Sequence, residues 1–477
     1  MTAAAPSTDK HAKPEAGVKE TVESILIAFI LAFIFRCFVV EAFVIPTGSM
    51  APTLMGAHLS YRCPDCGYRF TAGFPDQDDN FSVPEVAEKT YSIICPNCGL
   101  RLPRSLPSDK ENDADSPAVR YGDRILVMKY LYLLAPPKRW DVVVFKTPDV
   151  RGAAGDYSVN YIKRLVGKPG ERLFVAEGDV YVAPDNGQPM KESDFVVQPK
   201  PKSAQDALWR IVYDADYVPA GKIKREYTAS NGGEFADQPW QQPWKPNGGS
   251  GWTNSDDKAG VDARHFAFDN KAGQGTLAFD TNANPNTAAM TDWLAYDQTD
   301  RQTLRDGKDT LDRPSYKSDN GAVKSVSDLK LSAVVDAFSG EGKLRLVVGK
   351  QDESGSTEFA AEITADKIRL IKRIGGSERT IGEIDRPTDA TEVSIQNVDY
   401  RVAINVAGKE RLATTPADYA PDVASVVRRE QDERPAPAGF ARIDGDRCQA
   451  TLSHLQLWRD VYYRARRELR PAPRDGH

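Results

Sequence analysis

The chain has 477 residues, 40% of them hydrophobic and 27% charged, with a formal net charge of −6. The hydrophobic fraction excludes a wholly disordered chain and supports two or three folded units. The acidic balance excludes nucleic acid as the main partner.

The first twenty residues read as a polar tail, with Lys10, Lys13 and Lys19. "VESILIAFILAFIFRCFVVEAFV", Val22–Val44, follows, and Arg36 is its only charge between Ser24 and Val40. About 20 apolar residues cross a hydrocarbon core, so residues 21–42 read as a transmembrane anchor whose Arg36 reaches for the interface. The three lysines keep the N-terminus on the cytoplasmic side. A cleaved signal peptide would have a shorter apolar run and small residues after it, whereas Phe38, Val39 and Val40 come next.

"FVIPTGSMAPTL", Phe43–Leu54, then presents Ser49 on a turn beside the membrane. Residues 63–104 hold "CPDCG" and "CPNCG", two Cys-x-x-Cys-Gly knuckles formed by Cys63, Cys66, Cys95 and Cys98. Two such knuckles supply four thiolates to a tetrahedral zinc, and four sulfurs leave no open position, so the site is expected to be structural. Two disulfides are the alternative in an oxidising compartment.

A polar linker, Leu106–Ala118, leads to dense strand signals: "DRILVMKYLYLL", "WDVVVFK", "SVNYIKRLVGKPGE" and "RLFVAEGDVYVA", the last a hairpin turning at Glu177–Asp179. From Asp194 to Pro314 the chain is polar, with scattered tryptophans that read as buried. Alternation returns from Asp328 to Tyr463 and predicts a β-sandwich within an insertion spanning residues 194–465. Its pattern is like that of concanavalin or laminin-G sandwiches, an analogy that assigns no function. Residues 466–477 read as a disordered tail. The whole is expected to be mainly β.

A serine hydroxyl needs a base, and the five histidines lie in the tails, far along the chain or, for His58, in what reads as a loop. A lysine serves if burial lowers its pKa. In "YIKRLVG" strand alternation places Tyr161, Lys163 and Leu165 on one face, which sets the Lys163 ammonium among apolar neighbours.

These stretches resemble a known family. "IPTGSMAPTL" is similar to the nucleophile motif of type I signal peptidases, serine proteases of the Ser/Lys kind, and "YIKRLVGKPGE" to the segment that holds their base. "YGDRILVMK", "RWDVVVFKTP" and "GDVYVA" resemble the intervening and following strands, and the order and the preceding anchor match too. The resemblance implies a catalytic domain built from residues 43–62 and 118–190. It implies Ser49 as nucleophile, Lys163 as general base, and an oxyanion hole made by the Ser49 N–H and the Thr47 hydroxyl. Met50 would line the apolar substrate pocket, and Asp123 and Arg164 would be structural.

The implied activity is removal of N-terminal signal peptides from exported preproteins at the plasma membrane, with no cofactor for catalysis. The enzyme would be single-pass, its catalytic domain extracytoplasmic and its partners preproteins and membrane lipids. The family's closing Gly-Asp-Asn, Ser and Asp-Ser-Arg segment has no counterpart; Gly445-Asp446-Arg447 comes nearest. The insertion begins where that segment is due, so the chain is expected to stop before it. Two alternatives stay open. One is another Ser/Lys processing peptidase. The other is a catalytically inactive anchored protein whose zinc ribbon and sandwich bind carbohydrate or protein.

Overall fold

The computed structural model describes residues 17–45, 47–74, 93–102, 118–146, 160–188, 191–219, 225–227, 236–249, 251–254, 264–284, 290–299, 324–353 and 355–464. Lys10, Lys13, most of the Leu106–Ala118 linker and the 466–477 tail lie outside these.

The apolar run divides in two. Val18–Phe38 is an α-helix with Glu20 in its first turn and Arg36 in its last, both favourable to the helix dipole. Its side chains face outward all round, Phe29 and Phe33 being about 70% exposed. Among the described residues nothing covers this helix, as expected of a lipid-facing segment. The run's remainder is not helical. Val40–Val44 forms a strand antiparallel to Arg124–Met128, pairing Val40 with Met128 and Val44 with Arg124. β-branched residues at Val39, Val40 and Val44 favour that change.

Short antiparallel pairs build the part that follows. Val142–Lys146 pairs with Asn160–Arg164, setting Val143 opposite Lys163. Glu171–Ala176 and Asp179–Pro184 form the expected hairpin. Its two-residue turn, Glu177-Gly178, has φ of +53° and +91°, as the twist of a tight hairpin requires. His58–Arg62 pairs with both Arg69–Gly73 and Ala118–Arg120, which closes the cysteine region back onto the chain that leaves it.

Among the described residues, the region read as an insertion is built mainly on one antiparallel sheet of 13 strands. Its spine is Ala438–Arg459, which pairs with Phe266–Phe279, Leu329–Ser339, Lys343–Asp352 and Arg210–Asp214. Alternate residues of this spine are buried, so one face of the sheet lines a single core, where Trp244, Tyr213, Phe266, Phe268 and Phe359 are among the largest enclosed side chains. The polar stretch from Asp194 contributes more than its texture implies, since Arg210–Asp214, Trp244–Gly249, Trp252–Asn254 and Phe266–Phe279 all join the sheet. Trp209, Trp244, Trp252 and Trp293 are buried, as read. Gly445–Arg447 lies within the spine and has no part in the peptidase strands.

The sandwich-like insertion also grips the hairpin. The Tyr463 N–H donates to Gly178 O at 3.3 Å, and the Tyr463 ring lies 6.0 Å from that of Trp140.

Candidate active site

Ser49 sits on a turn held from both ends. The Ala51 N–H donates to Gly48 O at 2.8 Å, and the Thr53 and Leu54 N–H groups both donate to Met50 O at 3.0 Å. Asp123 clamps the base of this loop. Its carbonyl accepts from the Ile45 N–H at 2.9 Å and its own N–H donates to Met55 O at 2.8 Å. Its Oδ2 accepts from the Met55 N–H, also at 2.8 Å. The chains entering and leaving the loop are thus fixed to one residue, which is the structural role expected of Asp123.

Gly48 has a second reason to be glycine. A Cβ built there would lie 2.3 Å from Cε1 of Tyr296, a residue of the insertion. Tyr296 is buried, and its hydroxyl donates to Ala57 O at 3.4 Å. No sequence signal pointed to Tyr296, because its partners are some 240 positions away.

Lys163 reaches Ser49 from the Asn160–Arg164 strand. Its Nζ lies 2.5 Å from Ser49 Oγ, and among the described residues this is its one hydrogen-bond partner. The Tyr161 ring lies 5.9 Å from Nζ, consistent with the shared face expected from alternation. Leu165 falls just past the strand end, where its N–H donates to Asp141 O. Burial holds the Lys163 ammonium below the ordinary lysine pKa. Once neutral, the amine can accept the Ser49 proton. Arg164 points away and donates to Trp140 O at 2.9 Å, a structural contact.

Thr47 Oγ1 lies 3.5 Å from Ser49 Oγ. The Ser49 N–H has no acceptor among the described residues, so it is available to a developing oxyanion. Met50 is buried against the loop and forms a bridge with Leu54. His58 differs from its reading as a loop residue. It is buried on a strand, with Nδ1 2.9 Å from Gly56 O.

The four cysteines converge. Cys63 and Cys98 Sγ are 3.6 Å apart, and Cys66 and Cys95 Sγ 3.7 Å. All four sulfurs lie within 4.8 Å of one another. A disulfide needs about 2.05 Å, and none of these cysteines is so paired. Tetrahedral zinc with bonds of about 2.3 Å sets its sulfurs about 3.8 Å apart, which fits. The knuckles repeat in detail: the Gly67 and Gly99 N–H groups donate to Cys63 O and Cys95 O, both at 2.9 Å, and both glycines have positive φ.

Residues 18–62 and 104–245 match the sequence model of the signal peptidase family, peptidase S26. A probable signal peptidase I-1 of Synechocystis is 35% identical over 89 residues, covering 18% of this chain and 43% of that protein. A signal peptidase I of Rickettsia typhi is 23% identical over 172 residues, covering 36% of this chain and 46% of that protein. The chain thus spans less than half the length of these relatives. A carbohydrate-binding module of Bacillus subtilis is 10% identical and covers 46% of this chain and 96% of its own, with a TM-score of 0.24, which assigns neither fold nor ligand. Over the two matched stretches, this chain is similar to the signal peptidase family, peptidase S26.

Proposed function

We propose that this protein is a membrane-anchored serine endopeptidase that removes signal peptides from exported preproteins. The observation that carries this reading is the 2.5 Å approach of Lys163 Nζ to Ser49 Oγ across 114 positions of sequence. Neutral Lys163 takes the Ser49 proton as Oγ attacks the scissile carbonyl. The oxyanion is received by the Ser49 N–H and the Thr47 hydroxyl. Lys163 then passes the proton to the leaving amine, and a water, activated by the same lysine, releases the acyl group. Met50 contributes to the apolar wall beside the scissile bond.

The helix Val18–Phe38 anchors the enzyme in the plasma membrane, with its N-terminus cytoplasmic and Ser49 where a signal peptide emerges. Cys63, Cys66, Cys95 and Cys98 hold a structural zinc that fixes the Arg69–Gly73 strand. Catalysis uses no cofactor.

The test is cleavage of a preprotein by membranes containing the wild type, Ser49→Ala, Lys163→Ala or Lys163→Arg. All three variants should be inactive while remaining folded, since a guanidinium cannot act as base. Wild-type turnover in Ser49→Ala would refute the reading.

A further inference from the structure

A cavity of about 200 Å³ lies where the cysteine region, the nucleophile loop and the insertion meet. Its walls include Tyr68 and Phe70 from the first knuckle, Trp209, Trp293 and Trp458 from the insertion, and Pro52, three residues after Ser49. Arg210 and Arg459 also line it, with the exposed Arg69 at its edge, and among the described residues its lining includes no Asp or Glu.

The two arginines are the unusual feature. Arg459 is 3% exposed, and its guanidinium donates only to carbonyl oxygens, those of Asp460 and Trp293. Arg210 likewise donates only to the carbonyls of Trp209 and Ala207, while its Nε has no partner. Neither forms an ion pair among the described residues, whereas other arginines of this region do: Arg345 pairs with Glu362 and Arg442 with Glu358. Guanidinium stays charged at neutral pH, and a buried charge without an opposite charge is costly. Carbonyl dipoles satisfy hydrogen bonds, and the carboxylates that act on these charges, Asp460 on both arginines and Asp292 on Arg459, do so only through space. The indole N–H groups of Trp209 and Trp458 are buried without acceptors as well. Two guanidinium groups without a direct ion pair among the described residues, and indole donors without acceptors, thus border a space that aromatic rings help to enclose.

We propose that this cavity binds a small organic carboxylate carried on a flat ring. The carboxylate neutralises Arg210 and Arg459, whose planar forks suit its two oxygens. The ring lies among the indole and phenol side chains, where stacked and edge-on contacts are both favourable. Tyr296 lines this cavity and also packs on Gly48, so the ligand sits one side chain from the nucleophile loop.

Benzoate is the probe, with benzamide as the neutral analogue of the same shape and acetate and inorganic phosphate as anions without the ring. The full chain in detergent is titrated at constant ionic strength, with tryptophan fluorescence and thermal unfolding as readouts. Benzoate should give a saturable fluorescence change and raise the unfolding temperature with concentration, whereas benzamide should do neither. Arg210→Gln should weaken benzoate binding by about tenfold or more. If that variant is misfolded by circular dichroism, Arg210→Lys, which keeps the charge and loses the fork, should weaken it less. Equal binding of benzamide, undiminished benzoate affinity in the arginine variants, or saturation by phosphate but not benzoate would each overturn the proposal.

Discussion

Tyr296 occupies the space that a side chain at position 48 would fill: a Cβ on Gly48 would stand 2.3 Å from its Cε1 and 2.7 Å from its hydroxyl. The residue before Ser49, the proposed nucleophile, is therefore braced by Tyr296. Because Tyr296 is buried, its ring cannot swing clear cheaply. Gly48→Ala should displace the loop and lower kcat by up to about 10²-fold, the scale of a misplacement near 1 Å. Tyr296→Ala should recover part of that loss in the double variant. Preprotein cleavage kinetics for the four proteins of this cycle check it; strict additivity would mean the two residues act independently.

As the proposed base, Lys163 must be neutral to work, and burial lowers its pKa. Activity should rise with pH along a limb centred below the ordinary lysine value of about 10.4. The sign for stability agrees. In that window the unfolded chain binds more protons than the folded one, so stability increases with pH. The pH dependence of kcat/KM measures the limb directly, and a limb at or above the ordinary value would argue against Lys163 as base. Thr47→Val should slow turnover by about 10²–10³-fold, with little change in KM, by removing one oxyanion donor.

The cysteine geometry leads to a metal count. Elemental analysis should give about one zinc per chain, and four thiols should become reactive on chelation. Cys98→Ser should lose the metal. Gly73, at the end of the knuckle strand, lies against Tyr296, a Cβ there standing 3.0 Å from Cε1. Metal loss should therefore lower cleavage as well as stability. A metal-free protein with wild-type activity would separate the two regions.

Lys200 is enclosed between Asp399 and Asp460, with all three side chains at most 3% exposed. Burial pushes the Asp460 carboxyl up to about 6 even with the lysine beside it. Lys200→Met should cost about 3–5 kcal/mol by leaving buried carboxylates without a cation. The Asp460 carboxylate takes up its proton more readily in the folded state, so the variant's stability should fall as pH rises. Its deficit should accordingly be smaller at pH 5 than at pH 8 in urea unfolding.

Orientation is testable in spheroplasts. With the N-terminus inside, external protease should degrade the Leu329–Arg459 region and spare the residues before Val18. Protection of the sandwich would reverse the assignment.

Much of the site was legible because its chemistry is local. The Gly-Ser turn, the lysine on an alternating strand and the doubled knuckle each occupy a few adjacent residues, and period-2 alternation was enough to put Tyr161 and Lys163 on one face. The hairpin at Glu177-Gly178 was legible for the same reason. Where the apolar run stops being a helix was not, because hydrophobicity alone does not distinguish a lipid-facing turn from a strand that finds a partner at Arg124–Met128. The strand Phe266–Phe279 was hidden as well. Its centre is polar and bulged, with a register shift between Asn270 and Gln274, and it becomes a strand only through pairing with the Ala438–Arg459 spine. Tertiary structure alone decided that Tyr296 braces Gly48, that Asp123 clamps the Ser49 loop and that Arg210 and Arg459 share a cavity whose described lining includes no carboxylate. Each of these depends on residues brought together across long sequence separations, where packing and charge act through space and leave no local pattern.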